Sequence, residues 1–346
     1  MNIPYPELPH VKQKIVHAGN NMYFSLEAIV MQKLVAGEQI SNVDEDILKQ
    51  SIDFNKELYS FLKKVPLSKL TESDAEKLIA YVIDAIGLVM NPTNDITFHN
   101  VFRVTVVSAD MLDETGKVRD IKYLMHRPID LVRKHGYYSR ANTVKSTVFY
   151  CSFLPGVAIH ETKPKKGDRI ILTRWKNTDG QKFTSCPIAY NKGIQNENTQ
   201  AAVDGLEKLK ARKHPLLAQM MDMYTDFFGS ELVKKVECTS GKKFEYLYGA
   251  LFGDQILNNY DSYYGPGTKE PACLIYPSVA YGHREENLAI ASKHVPRLSP
   301  LDCTDGIVWE ELYEKLAVNE MELPIVFGRM RIANRFEGNK IIWNDD

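Results

Sequence analysis

The spacing of apolar and polar positions changes character at about residue 91. Before it, Ile47, Leu48, Ile52, Leu58, Phe61 and Leu62 recur near one face of a helical period, with Asp, Lys and Glu between them. Thr71-Glu-Ser-Asp74 has the form of a capping box and predicts a helix running to about Met90. Residues 1–92 therefore read as a helical N-terminal region, ended by the breaker Asn91-Pro-Thr-Asn94. Every candidate site residue falls after Ile96, so this region is expected to be a separate unit that modulates or recruits.

From Ile96 the texture turns to short β-rich runs: Thr97–Val107, Thr147–Phe153, Arg169–Trp175, Ala272–Val279, Leu288–Ser292, Gly306–Trp309 and Ile325–Ile332. Two helical stretches, Ala201–Phe228 and Phe244–Asn258, lie among them, the first within a helical insertion at about 177–243. Strands with a helical insertion and no regular β-α-β alternation predict an α+β fold for residues 93–346. Neither G-x-G-x-x-G after a strand nor G-x-x-x-x-G-K-[ST] occurs, so the common phosphate-cradling loops are absent.

Composition adds mainly exclusions. With 44% hydrophobic and 25% charged residues over 346 positions, the chain has the balance of a globular enzyme rather than a disordered segment. Its 43 basic and 44 acidic residues nearly cancel, so net charge points to neither nucleic acid nor a membrane surface. The start, Met-Asn-Ile-Pro-Tyr-Pro-Glu-Leu-Pro-His10, lacks the basic and apolar blocks of a secretory signal. The longest apolar stretch, Ile79–Met90, contains Asp84 and is too short to span a bilayer. Five scattered cysteines, with no C-x-x-C and no zinc spacing, read as buried thiols in a reducing cytoplasm, with no metal expected.

A handful of polar residues sit where apolar runs end or turn. Glu161 follows Val157-Ala-Ile159, which makes it either a carboxylate on a mostly buried element or the start of a lysine-rich polar loop. Arg103 interrupts the apolar run Phe102–Val104, as a solvated edge residue or as a buried cation that needs an anion. Arg140, in Tyr138-Ser-Arg-Ala-Asn142, is a loop cation or a phosphate ligand, and Tyr150 is a half-buried strand aromatic by default. In Tyr276-Pro-Ser278 the proline is expected to end pairing and expose the Ser278 hydroxyl, which reads as a positioning group. Asn287 either caps a turn or bonds a ligand.

Arg103, Arg140, Tyr150, Glu161, Ser278 and Asn287, in that order and at those intervals, resemble the RES domain family, named for its Arg, Glu and Ser. The likeness covers about Thr97 to Ser292, densest over Tyr138–Trp175 and Glu245–Ile290, and His126-Arg-Pro128 resembles a further family element. Ser139 stands where the family usually has Gly before the Arg, and the N-terminal region and the insertion depart from compact members. The resemblance implies an ADP-ribosyltransferase-like twisted β core with flanking helices. It implies NAD as substrate, and a glycohydrolase, phosphorylase or ADP-ribosyltransferase activity on it. Many family members are toxins of toxin–antitoxin pairs, so it also implies a cognate antitoxin.

Cleaving the nicotinamide–ribose bond passes through an oxocarbenium-like state, which a nearby carboxylate stabilises, while the pyrophosphate calls for the fork of Arg. Under this expectation Glu161, Arg103 and Ser278 serve catalysis. Arg103 and Arg140 hold the pyrophosphate, Tyr150 stacks on nicotinamide or ribose, and Ser278 and Asn287 orient the ligand. The alternative is a non-catalytic nucleotide-binding regulatory module of the same fold, which predicts binding without turnover.

Overall fold

The structure, a computed structural model, describes residues 3–16, 23–86, 93–136, 138–188, 197–236, 243–258, 270–280, 282–308 and 327–345. Its helices are α1 (Leu26–Ala36), α2 (Asn42–Lys64), α3 (Glu72–Ile86), α4 (Ile129–His135), α5 (Pro155–Thr162), α6 (Glu197–Lys210), α7 (Pro215–Leu232) and α8 (Leu247–Asn258). Its strands are β1 (Ile15–Val16), β2 (Tyr23–Phe24), β3 (Asn94–Ile96), β4 (Asn100–Val106), β5 (Val148–Ser152), β6 (Arg169–Asn177), β7 (Phe183–Pro187), β8 (Cys273–Pro277), β9 (Glu286–Ala291), β10 (Leu298–Val308), β11 (Phe327–Ala333), β12 (Arg335–Glu337) and β13 (Lys340–Ile342). Nine of these strands form one mixed sheet in the order β11-β10-β6-β4-β5-β9-β8-β7-β3, antiparallel throughout except for β7 beside β8. The fold is therefore α+β, as the pattern of strands and helices predicts.

Local chemistry sets the helix starts. At α3 the Thr71 hydroxyl accepts from the Asp74 amide at 3.2 Å and Asp74 Oδ2 accepts from the Thr71 amide at 3.1 Å, the reciprocal capping box expected there. Ser41 and Asp44 repeat it at α2. The expected Ala201–Phe228 helix is two helices, because Pro215 cannot continue α6 but suits the first turn of α7. The expected strand at Gly306 is only the end of the eleven-residue β10. Its first half was hidden by Pro300, which sits where the register with β6 shifts. The insertion at 177–243 is not wholly helical either, since it contributes β7 to the sheet.

Alternation along β5 sorts the two faces. Phe149 and Cys151 join a core with Val101, Ile171, Trp175, Ile275, Leu288 and Trp343 on one face. On the other face, Val148 packs with Leu274, Ala289 and Ala291 against α2, α3, α7 and α8. Aromatic pairs tie these helices together: Tyr59 stacks on Phe227 and Phe228 on Phe252, each at 4.7 Å between ring centroids. Towards β10 the same face is covered by α5, through Ala158 and Ile159 against Val104, Ile170 and Val308.

The N-terminal helices are thus not the separate unit expected. Leu58, Leu62, Leu78 and Val82 belong to the same buried cluster as Tyr224, Phe252 and the sheet residues Leu274 and Ala289. The boundary motif Asn91-Pro92, the end of the 71–90 helix, Cys238, Trp309 and Ile325 lie outside the described residues. Cys151, Cys186, Cys273 and Cys303 are buried free thiols. Among the described residues no helix is long and apolar enough to cross a membrane.

A chain beginning at Thr93 should expose this shared core and lose cooperative thermal unfolding, followed by circular dichroism. Phe227→Ala in the full chain should cost about 3–5 kcal/mol in a urea titration. A truncated chain with a sharp parental transition would show that the N-terminal helices are dispensable to the core.

Candidate functional site

The sheet is weakest where the candidate residues gather. β4 registers with β6 from Asn100 to Val106, and β5 with β9 from Val148 to Ser152, yet β4 and β5 share the single pair Phe102↔Ser152. Beyond that pair the strands part, and a cleft of about 340 Å³ opens. Its lining includes Arg103, Arg140, Tyr150, Glu161 and Asn287, with Tyr138, Tyr246 and Tyr276 adding aromatic walls. Ser278 is not part of the lining.

Arg103 occupies the gap. It is not on an edge: β4 lies between β6 and β5, and Arg103 leaves it on the face opposite Phe102. Its Nη1 donates at 2.8 Å to the Tyr150 carbonyl, a group a continuous ladder would have paired, and its Cζ stands 5.1 Å from the centre of the Phe149 ring. The buried Nε makes no hydrogen bond, and among the described residues no carboxylate pairs with the guanidinium. Burial pushes its value down to about 10, so it remains charged at neutral pH in surroundings that disfavour the charge. His126, held below the ordinary imidazole range by burial and then by Arg103, lies close by with a buried, unbonded Nδ1. These are the surroundings in which a bound anion is stabilised most.

Glu161 is on the last turn of α5, since Val157-Ala-Ile159 is helical rather than extended. It pairs with none of the following lysines. Its Oε1 accepts from Ser278 Oγ at 2.6 Å, Asn287 Nδ2 at 2.9 Å and the Ala280 amide at 3.4 Å. Asn287 is itself oriented, because its Oδ1 accepts from Ser152 Oγ at 2.5 Å. The cross-strand pairs Ser152↔Asn287 and Asn287↔Tyr276 put this row on one face of β5, β9 and β8. All these bonds fall on Oε1, and among the described residues Oε2 accepts none. The carboxylate that lines the cleft is thus held through one of its oxygens.

Ser278 corrects the expectation drawn from Pro277. Pairing continues past the proline, with Pro277 opposite Glu286 and the Ser278 amide donating to the Glu285 carbonyl at 2.7 Å. The hydroxyl, on a residue 0% exposed, donates to Glu161, which lines the cleft while Ser278 does not. Asn287, 2% exposed, likewise acts chiefly on Glu161. Both side chains bond Glu161, and of the two Asn287 lines the cleft.

Arg140 and Tyr150 both line the cleft and are both bonded by the surrounding protein. Arg140 Nη1 donates to the Leu232 and Lys234 carbonyls at the end of α7, and Nη2 donates to the Tyr246 hydroxyl at 3.2 Å. Its Cζ stands 4.8 Å from the Tyr246 ring centre and 5.9 Å from that of Tyr276. No carboxylate pairs with it among the described residues. The Tyr150 ring lines the cleft, but its hydroxyl is committed to the turn carrying Arg140, accepting from the Ala141 amide at 2.8 Å and donating to Asn142 Oδ1 at 3.0 Å. Burial raises this phenol well above the ordinary range.

Ser152, Tyr138, Tyr246 and Tyr276 were not singled out in the sequence, where each is one hydroxyl or aromatic among many. Gly249 and Gly253, four residues apart on α8, did carry a signal, since two glycines on one helix face mark a close backbone approach. Among the described residues no cluster of three or more His, Cys, Asp or Glu side chains could hold a metal ion. A comparison of the chain with protein-family models, with curated proteins and with solved structures finds no match.

Arg103→Met should separate the two burdens on this cation. Removing a desolvated charge is favourable and leaving the Tyr150 carbonyl without its donor is not, so the two effects should offset and the melting temperature should shift only modestly. Loss of a charged hydrogen-bond partner should weaken binding of a pyrophosphate ligand such as ADP-ribose by roughly 10-fold to 100-fold in calorimetry. A large drop in stability with unchanged affinity would make Arg103 a structural cation only.

Proposed function

We propose that the protein cleaves the nicotinamide–ribose bond of NAD, with Glu161 as the residue that stabilises the ribosyl cation. The observation that carries this reading is the pairing of chemistries in one cleft: a carboxylate anchored by one oxygen, and two arginines without carboxylate partners among the described residues. The split sheet with helices on one face supports an ADP-ribosyltransferase-like core, and the ordered RES-like residues point the same way.

In this reading Arg103 supplies the principal fork for the pyrophosphate, because among the described residues only one of its N–H groups is engaged. Arg140 adds its remaining donors. Tyr138, Tyr246 and Tyr276 offer aromatic surface to the nicotinamide ring. The free Oε2 of Glu161 meets a ribose hydroxyl and the positive charge that develops at the anomeric carbon. The carbon–nitrogen bond breaks with its electron pair leaving on nicotinamide, which departs neutral. An acceptor (water, phosphate or a protein side chain) then attacks the ribosyl carbon and gives up its proton.

The buried free thiols support a cytoplasmic setting, and the RES resemblance supports a toxin role with a cognate antitoxin as partner. Incubation of the purified full chain with NAD, with and without phosphate, followed by chromatography, should reveal nicotinamide and an ADP-ribosyl product. Binding of ADP-ribose without nicotinamide release would instead favour the non-catalytic nucleotide-binding module.

Glu161→Gln keeps the size and loses the charge, so turnover should fall by about 100-fold to 1,000-fold. The KM for NAD should change far less, because the interaction strengthens only as the cation forms. Parental turnover in this variant would remove Glu161 from the mechanism.

A further inference from the structure

We propose that Tyr150 is a positioning residue for Arg140 rather than a platform for the nicotinamide ring, and that Asn142 and Gly253 complete the same clamp. The proposal rests on the reading of the cleft as an NAD site. Two hydrogen bonds engage the Tyr150 hydroxyl, from the Ala141 amide and to Asn142 Oδ1. Asn142 is buried, and its Nδ2 donates to the carbonyls of Thr143 at 3.0 Å and Ser146 at 3.1 Å, while its own carbonyl accepts from the Ser139 amide at 3.0 Å. The phenol therefore closes the turn from Ser139 to Asn142 from within the sheet.

From the other side the turn rests directly on α8. A Cβ at Gly253 would stand 2.6 Å from Ala141 Cα and 2.7 Å from the Ala141 carbonyl oxygen, closer than real side chains approach backbone. A Cβ at Gly249, one turn earlier, would stand 3.0 Å from the Arg140 carbonyl oxygen. The backbone of the turn is thus held between a tyrosine hydroxyl and a side-chain-free strip of helix. The guanidinium is held in turn by the end of α7 and by Tyr246, which among the described residues leaves Nε–H and one Nη2 hydrogen uncommitted.

Such anchoring matters because a bidentate contact with a phosphate depends on the direction of the N–H groups as well as on charge. A turn free to rock would carry the cation yet misdirect its donors. Stacking alone would tolerate phenylalanine at 150, whereas the clamp needs the hydroxyl. The distinction is therefore a single oxygen atom.

The test compares full-length Tyr150→Phe and Gly253→Ala with the parent protein. Tyr150→Phe should raise the KM for NAD by roughly tenfold, the change expected when a buried hydrogen bond is lost, and Gly253→Ala, whose Cβ displaces the same turn, should raise it as well, with kcat held within about twofold in each. In Tyr150→Phe the Ala141 amide should exchange with solvent roughly tenfold faster by NMR, since its acceptor is gone. Parental KM and parental Ala141 exchange in Tyr150→Phe would overturn the proposal, whatever the outcome for the bulkier Gly253 variant. A fall in kcat with unchanged KM would also overturn it, since that is not what a misdirected binding cation does. If the parent protein cleaves no NAD, the function fails, while Ala141 exchange still decides whether the hydroxyl clamps the turn.

Discussion

The gap between β4 and β5 governs the rest of the molecule. A sheet that parts after one registered pair leaves backbone groups facing a space instead of a neighbouring strand, and buried groups of that kind must find partners. Arg103 answers part of that demand by donating to the Tyr150 carbonyl across the opening. The same side chain is thereby fixed as a desolvated cation lining a cleft. One side chain both closes the interrupted ladder and supplies the site's least-compensated charge.

The surrounding structure reads as support for that opening. On one flank α5 carries Glu161 to a row of residues, Ser152, Asn287 and Ser278, aligned by the pairing of β5, β9 and β8. On the other flank α7 and α8 hold the Arg140 turn, and these helices are packed in turn by α2 and α3. The N-terminal region therefore contributes to the cleft indirectly, through the aromatic layer of Tyr59, Phe227, Phe228 and Phe252. Residues far apart in sequence depend on one packed layer, which explains why the change of texture near residue 91 is not a boundary of the core.

Much of the fold was legible because local signals and tertiary demands agree. The helical period around Leu48–Leu62, the box at Thr71–Asp74 and the β-rich runs at Val148, Arg169 and Cys273 all correspond to elements. The misses share a cause, a proline within the strand: β7 is the short run Phe183-Thr-Ser-Cys-Pro187, and β10 carries Pro300 where its register with β6 shifts. For the cleft, the sequence brought forward Arg103, Arg140, Tyr150, Glu161 and Asn287, which do line it. Their individual tasks were less visible, because the direction of a side chain is set by partners such as Ser152, Tyr246 and Gly253, and those pairings are written only in three dimensions. Ser278 illustrates the point: a proline before it suggested exposure, while the pairing of β8 with β9 buries it against Glu161.

The central claim is that one cleft holds NAD between Arg103 and Glu161. A crystal structure of the Glu161→Gln protein with NAD tests it most directly, since the substitution should slow cleavage enough to trap the intact dinucleotide. The account predicts the pyrophosphate on the Arg103 guanidinium, the nicotinamide ring among Tyr138, Tyr246 and Tyr276, and the adjoining ribose hydroxyl at residue 161. NAD bound elsewhere, or an empty cleft at saturating NAD, would contradict it.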